Sequence, residues 1–583
     1  MTDLTLISGK PKIFVISSNE ELIFEIQAYV EDYEYEFVGF GYDSSHIFER
    51  IDESGADLVF LDADIENVDL LELSGDLELF NIPILLIIGA LFDETIDEIL
   101  MSNPFGYLIQ PLEKEELQRA MAVALKKHES NILTIKSAEA KIEEKGLELM
   151  IEKSDSGFLL ILCISLILMA LFTRNATWLQ WVLIIPTLAM LINAIASFKR
   201  VDKAVPFPED EQPFVSIFIP AHNEEFTIES TVRSVCGIEY NKNGEINYEL
   251  IVVNDGSTDS TGEILAGLKK EYPQLKIVTR HPPRSGKGKG FVLNDALTLS
   301  RGEVIGVFDA DTQVKPEFLT TVMAYLNKEG VEGVQSRVKM FNKNENFLAR
   351  MQHVEFASFG NTLIAKDNLG YCGFLGGNGQ FVYKQSIIDC GRWDGFAVTE
   401  DLNLAIKIIL NGGKIRYCGD TAVYQEAVTD WGAFFRQRIR WAIGNFETLF
   451  IYFPQIIRSK IPALYKYNIL EHISFYSFNL LIFFGFLITI ANAISWFFFN
   501  NTTIIRMEAP FIIGFMSMIS FFPGLILALS RDKPTILEFI KDMVKYYVYC
   551  FHLIPLFFMT MLNMLSRKER KWSKTVHKGS NQQ

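Results

Sequence analysis

The sequence predicts an α/β protein in two parts, the second set among long apolar segments. Three observations carry this. Short β-branched and aromatic runs alternate with amphipathic stretches over residues 11–128 and again over 213–430, the pattern of two α/β units. The chain has 583 residues, too many for one ordinary core. It is 49% hydrophobic with a mean hydropathy of +0.17, yet its net charge is -18, which points to membrane segments beside an acidic soluble part. That acidic balance excludes nucleic acid as a bulk partner, because phosphate backbones select Lys and Arg surfaces. The six cysteines lie scattered without CxxC spacing and read as reduced structural thiols, with no zinc site.

In order along the chain, residues 11–128 give KIFVIS, EFVGFG, ADLVFLDAD, IPILLIIG and GYLIQPL, each followed by a helical stretch. Strands alternating with helices in this way predict a flavodoxin-like unit. It resembles the receiver domain of two-component systems, with Asp62 at the phospho-acceptor position. Ser17 and Ser18 stand where the resemblance calls for an acidic Mg²⁺-binding pair, Gly89 where it calls for Ser or Thr, and Gln110 where it calls for Lys. Phosphoryl transfer to Asp62 then lacks both its metal and its charge partner. The expectation is a degenerate receiver that serves docking or self-association. Residues 129–153 are charged and read as a helical linker.

Phe158 to Phe172 and Leu179 to Ser197 make a transmembrane hairpin over 157–197. Lys199, Arg200 and Lys203 follow it and put that side in the cytoplasm, together with the N-terminal unit. Residues 431–465 mix Arg436, Arg438, Arg440 and Arg458 with Phe434, Trp441 and Tyr452, too polar to span and too aromatic for a solvated face, which predicts helices lying in the interface. A C-terminal membrane region over 470–566 holds three apolar stretches, roughly His472 to Phe499, Ala509 to Ser530 and Val544 to Leu565. Three full spans would leave the basic tail, 567–583, outside, so either one of the three, for example the last with Pro555 in it, is re-entrant or interfacial, or the spans number other than three.

The chemistry sits in 213–430. The strand FVSIFIP runs into Ala221 to Glu225, and ELIVVND ends at Asp255 before a helix start at Ser257 to Thr261. Both put polar groups, Glu224 among them, on one rim of the sheet. A glycine-rich loop follows with Arg284, Lys287 and Lys289, whose ammonium can meet phosphate. The apolar run Val304 to Phe308 then opens into Asp309 and Asp311 at a strand end, where α/β sheets bind ligands. Two carboxylates so close repel unless a cation sits between them, and a hard cation with phosphate oxygens answers that need. Taken singly, each has a plainer reading: a capping turn for the aspartates, a helix cap for Thr399-Glu400-Asp401, an interfacial anchor for Trp441.

Asp255 in VNDGSTD, Asp309 and Asp311 in DAD, Thr399-Glu400-Asp401, and Gln437, Arg440 and Trp441 as Q-x-x-R-W resemble, in this order, the signature set of membrane-embedded family-2 glycosyltransferases, among them the synthases of hyaluronan, cellulose, chitin and poly-N-acetylglucosamine. The resemblance covers about residues 150 to 580 and implies a GT-A type nucleotide-sugar-binding domain between transmembrane helices. It implies Mg²⁺ or Mn²⁺ at Asp311 and Asp309, a UDP-sugar contacted by Asp255 with Glu224 and Lys289 beside it, and Asp401 as general base with Glu400 next to it. Gln437, Arg440 and Trp441 would sit at the acceptor end. FLGGNGQF departs from a more basic acceptor-side motif.

Three functions follow as expectations. The first is an inverting transferase that extends and exports a β-linked polysaccharide from the plasma membrane, multi-pass, with both α/β units cytoplasmic. The second places one sugar on a polyprenyl phosphate or other lipid. The third is a membrane signalling protein whose transferase domain only binds nucleotide; the complete acidic set at 255, 309, 311 and 401 beside an incomplete receiver argues against it.

Overall fold

A computed structural model describes most of residues 10–128 (not 34, 43–49, 52–53, 66–81 or 90–104), scattered positions between 168 and 196, and 204–565 apart from 281–284, 371–372 and nearly all of 500–534. The expected linker, the hairpin over 157–197, the stretch Ala509 to Ser530, Arg284 and the basic tail lie wholly or mostly outside the described residues. The chain divides into two units, Met1–Glu152 and Lys153–Gln583.

In the first unit the strands β1 (Lys12–Ile16), β2 (Glu36–Gly41), β3 (Leu58–Asp62), β4 (Ile84–Ile88) and β5 (Gly106–Ile109) form a parallel sheet of order β2-β1-β3-β4-β5. That is the flavodoxin-like order. Helix α1 (Glu20–Glu31), capped by Asn19, and a helix over 114–128, α2, cover one face with Leu22, Ile26, Leu117 and Met121. Asp62 is buried at the end of β3: the Ser17 hydroxyl donates to its Oδ2 at 2.5 Å and the Asp64 amide to its Oδ1 at 3.0 Å. Serine at 17 therefore bonds the very carboxylate that an acid there would repel.

The second unit is built on β6 (Val215–Ala221), β7 (Tyr248–Asp255), β8 (Leu275–Arg280), β9 (Val304–Val307), β10 (Val331–Met340), β11 (Gln380–Tyr383) and β12 (Lys414–Gln425), in the order β8-β7-β6-β9-β11-β10-β12. All pairings are parallel except those of β11, which runs antiparallel to both neighbours. Both faces are covered, which is why these strands read as apolar runs rather than alternating ones. Val215, Ile217 and Ile219 of β6 face one core and Phe218 the other.

Helices α3 (Lys289–Leu299), α4 (Phe347–Asn368) and α5 (Glu400–Leu410) pack on this sheet, followed by α6 (Trp431–Arg458) and α7 (Ala463–Ile473) over the region expected to be interfacial. α8 (Phe475–Phe499) is 25 residues long without a charged side chain. Among the described residues, Ile536–Met564 is long and apolar enough to cross a membrane by length and composition. It differs from the single stretch Val544 to Leu565 read from sequence: it begins at Ile536 and is two helices, α9 (Ile536–Cys550) and α10 (Leu553–Leu565). The reason is Pro555, whose ring would strike the carbonyl of Phe551 in a continuous helix; in the first turn of α10 its missing N–H costs nothing. α9 is amphipathic, with Asp542, Tyr546 and Tyr549 buried and Ile536, Leu537, Ile540, Val544 and Val548 exposed.

Candidate active site

Because β7, β6 and β9 are parallel neighbours, their C-terminal ends share one rim, and the loops after Ala221, Asp255 and Val307 meet there. A cavity of about 780 Å³ opens at this rim, and its wall includes Glu224, Asp255, Lys289, Asp309, Asp311, Glu400, Asp401, Gln437, Arg440 and Trp441. Every candidate site residue of this unit thus borders one space.

Asp255 is buried at the end of β7, directly opposite Arg280 in the β8 register. Arg280 Nη1 donates to its Oδ1 at 2.6 Å and the Gly286 amide to its Oδ2 at 3.1 Å. Each oxygen keeps a further lone pair for a ligand. The Glu224 carboxylate accepts from Thr227 Oγ1 at 3.0 Å while its amide donates to Thr261 Oγ1 at 2.8 Å, which locks the loop after β6 to the helix that follows β7.

Asp311 is buried and its Oδ2 accepts the Glu426 amide at 3.0 Å, so the end of β12 fixes its orientation. Asn378 of FLGGNGQF accepts from Thr312 Oγ1 at 2.9 Å and donates to Gln425 Oε1 at 2.8 Å, holding the Asp309–Asp311 turn from behind. Among the described residues, no three or more His, Cys, Asp or Glu are grouped to hold a metal by themselves. Two carboxylates at a strand end suit a cation that completes its shell with water and phosphate oxygens, as Mg²⁺ does.

Lys289 opens α3, and its Nζ lies 2.6 Å from Asp309 Oδ1 and 4.0 Å from Glu400 Oε1. Burial opposes its charge, but Asp309 and Glu400 outweigh that and hold the ammonium protonated well above its ordinary range. Glu400 and Asp401 start α5. Burial first, then the charge of Asp401, pushes Glu400 up to about 7, against Lys289 and Arg440. Burial likewise raises Asp401, opposed by Lys289 and by the Leu402 amide, which donates to its Oδ1 at 2.8 Å. A carboxylate poised near neutrality suits general-base work.

The Q-x-x-R-W residues lie on α6, one turn before Gly444. A Cβ at Gly444 would stand 2.5 Å from Thr399 Oγ1, so the missing side chain lets α6 press against the turn that carries Glu400 and Asp401. Sequence reading passed over Arg280, Asn378 and Gln425, though the quoted FLGGNGQF loop contained the second. Their partners are remote in the chain, and only a basic residue at the end of β8 hinted at Arg280.

A parallel-sheet rim lined with paired acids, a half-buried lysine and a stacking-capable Trp defines a transferase site of nucleotide-sugar type. The family model "Glycosyl transferase family 2" matches residues 216–391 and "Glycosyl transferase family group 2" matches 304–561. Beta-monoglucosyldiacylglycerol synthase of Trichormus variabilis is 33% identical over 378 residues, 63% of this chain and 77% of that protein. The probable glycosyltransferase YdaM of Bacillus subtilis is 28% identical over 68% of this chain and 95% of its own length. Poly-beta-1,6-N-acetyl-D-glucosamine synthase of Staphylococcus epidermidis is 26% identical over 56% of this chain and 77% of its own. The chain belongs to glycosyltransferase family 2 and is an inverting glycosyltransferase.

Proposed function

We propose that this protein acts at a membrane and transfers one sugar from a nucleotide-diphosphate donor, a UDP-sugar, to the hydroxyl of a lipid acceptor with inversion at the anomeric carbon. The observation that carries the lipid reading is the aromatic and aliphatic share of the cavity lining. It includes Phe356, Phe359, Phe374, Phe475 and Tyr476, together with Val544 and Val548 of α9 and Phe551 just after it, all three of them exposed. Apolar lining that includes exposed side chains suits an acyl chain. The name of the Trichormus relative, a glucosyldiacylglycerol synthase, agrees with it.

Asp255 and Glu224 border the nucleoside, and Lys289 faces the diphosphate. Asp311 and Asp309 would hold Mg²⁺ or Mn²⁺, which supplies charge neutralisation for the departing diphosphate. Asp401 takes the acceptor hydroxyl proton as that oxygen bonds the anomeric carbon from the side opposite the leaving group, and the bond to the diphosphate breaks. Glu400 shares the negative charge of the base, Arg440 offsets it, and Gln437 and Trp441 seat the acceptor.

A second reading, extension of a β-linked polysaccharide, is favoured by Q-x-x-R-W and by the Staphylococcus relative. Both readings make the enzyme multi-pass in the plasma membrane with this unit cytoplasmic; the flavodoxin-like N-terminal unit acts as a degenerate receiver, for docking or self-association. Purified protein in vesicles with and without diacylglycerol, given a panel of UDP-sugars with Mg²⁺ or Mn²⁺, separates the readings by product size. A single sugar on lipid supports the first, polymer replaces it with the second, and nucleotide binding without any product rejects both.

A further inference from the structure

Within Gln437–Trp441 the Q-x-x-R-W motif holds a second arginine, Arg438, that the mechanism does not use. Arg438 is 5% exposed, and its Nη1 and Nη2 donate to Oε1 and Oε2 of Glu355 at 3.0 and 2.6 Å. The Tyr549 hydroxyl donates to the same Oε2 at 2.8 Å. The guanidinium carbon lies 4.5 Å from the Trp441 ring centroid and 4.9 Å from that of Phe434, and Trp441 meets Phe356 edge-on at 6.2 Å. Three helices, α4, α6 and α9, therefore converge on one buried ion pair whose flat cation is stacked on Trp441.

Apolar side chains could seal such a junction without loss of stability, so stability alone does not account for a buried pair here. A bidentate pair differs from apolar packing in fixing one geometry, since two parallel hydrogen bonds set the guanidinium plane. A ring stacked on that plane inherits its orientation. We infer that Glu355, Arg438 and Tyr549 form a positioning device that sets Trp441 in the plane that receives the acceptor. Tyr549 comes from α9, whose other side is the exposed apolar stripe, so the seating of that helix is read out at Trp441.

This rests on the proposed role of Trp441 in seating the acceptor. Tyr549→Phe removes one hydroxyl and keeps the ring, and Arg438→Lys keeps the charge but loses the fork and the stack. Full-length protein in vesicles is assayed for acceptor KM, donor KM and kcat, with each variant made alone and in a Trp441→Phe background. The expected result is an acceptor KM raised about 5-fold by Tyr549→Phe, the loss of one charge-assisted hydrogen bond, with donor KM unchanged. In the Trp441→Phe background Tyr549→Phe should add almost nothing, because both act through one ring. Fully additive effects, or donor and acceptor KM rising together, overturn the positioning role. If Trp441→Ala leaves acceptor KM unchanged, the role given to Trp441 fails and this inference with it; if Trp441→Ala raises it while the double variants are additive, only this inference fails.

Discussion

Lys289 Nζ lies 2.6 Å from Asp309 Oδ1, a cation held inside the carboxylate cluster by the chain itself. With Glu400 at 4.0 Å on its other side, this lysine stands between the first acid of the Asp309–Asp311 turn and the base pair on α5. Removing it leaves like charges facing one another across the cavity. Lys289→Met should therefore raise donor KM and lower kcat/KM about 100-fold, the scale of losing one preorganised charge at a reacting phosphate. Steady-state kinetics with varied UDP-sugar check this, and parental kcat/KM would remove Lys289 from the donor site.

Asp311 accepts the Glu426 amide, a contact that an asparagine oxygen can keep, so Asp311→Asn preserves the turn while halving the acidic pair. Transfer should fall to background in the variant and in parent protein treated with EDTA, and return with Mg²⁺ or Mn²⁺ only in the parent. Turnover undiminished by the chelator would exclude the metal.

The raised Glu400 predicts the pH profile. With its proton leaving only near pH 7, the Glu400–Asp401 pair is charged enough to act as base above that pH, so kcat/KM should climb through an acid limb at about 7. Glu400→Gln removes the group whose proton leaves near 7, so the limb at about 7 should be lost. A carboxyl with a raised folded pKa favours the fold below its ordinary range and loses that contribution as pH rises through about 7. The Tm of Glu400→Gln relative to the parent should then be higher at pH 8 than at pH 5. Asp401→Asn should still bind donor yet transfer about a hundred- to ten-thousand-fold more slowly.

Gly444→Ala should be favourable for an isolated helix by about 1 kcal/mol, yet the added Cβ would stand 2.5 Å from Thr399 Oγ1. The expected outcome is helix content retained by circular dichroism with transfer slowed about tenfold or more, because α6 and the Glu400–Asp401 turn are forced apart. Parental activity would show that the two elements need not touch.

Asp62 already accepts from Ser17 and the Asp64 amide, and Ser17 and Ser18 stand where the receiver resemblance calls for an acidic pair. Asp62→Asn should leave transfer within about twofold, because among the described residues the first unit supplies none of the transferase site. Acetyl phosphate should leave no hydroxylamine-sensitive label on Asp62; finding one would restore a phosphorylation switch.

Much of this protein was legible as sequence because its information is local. An apolar run that ends in two aspartates marks a strand end by its composition, and parallel topology then brings Asp255, Asp309 and Asp311 to one rim whatever the loops do. The flavodoxin-like order of the first sheet followed from alternation in the same way. What local pattern does not encode is which side chains meet across elements. Tyr549 reaches Glu355 from 194 residues away, Arg280 meets Asp255 only through strand register, and Lys289 meets Asp309 only once α3 is laid over β6 and β7. Those pairings depend on packing, where a buried charge must find a partner wherever the fold offers one, and so they were decided by the tertiary structure alone.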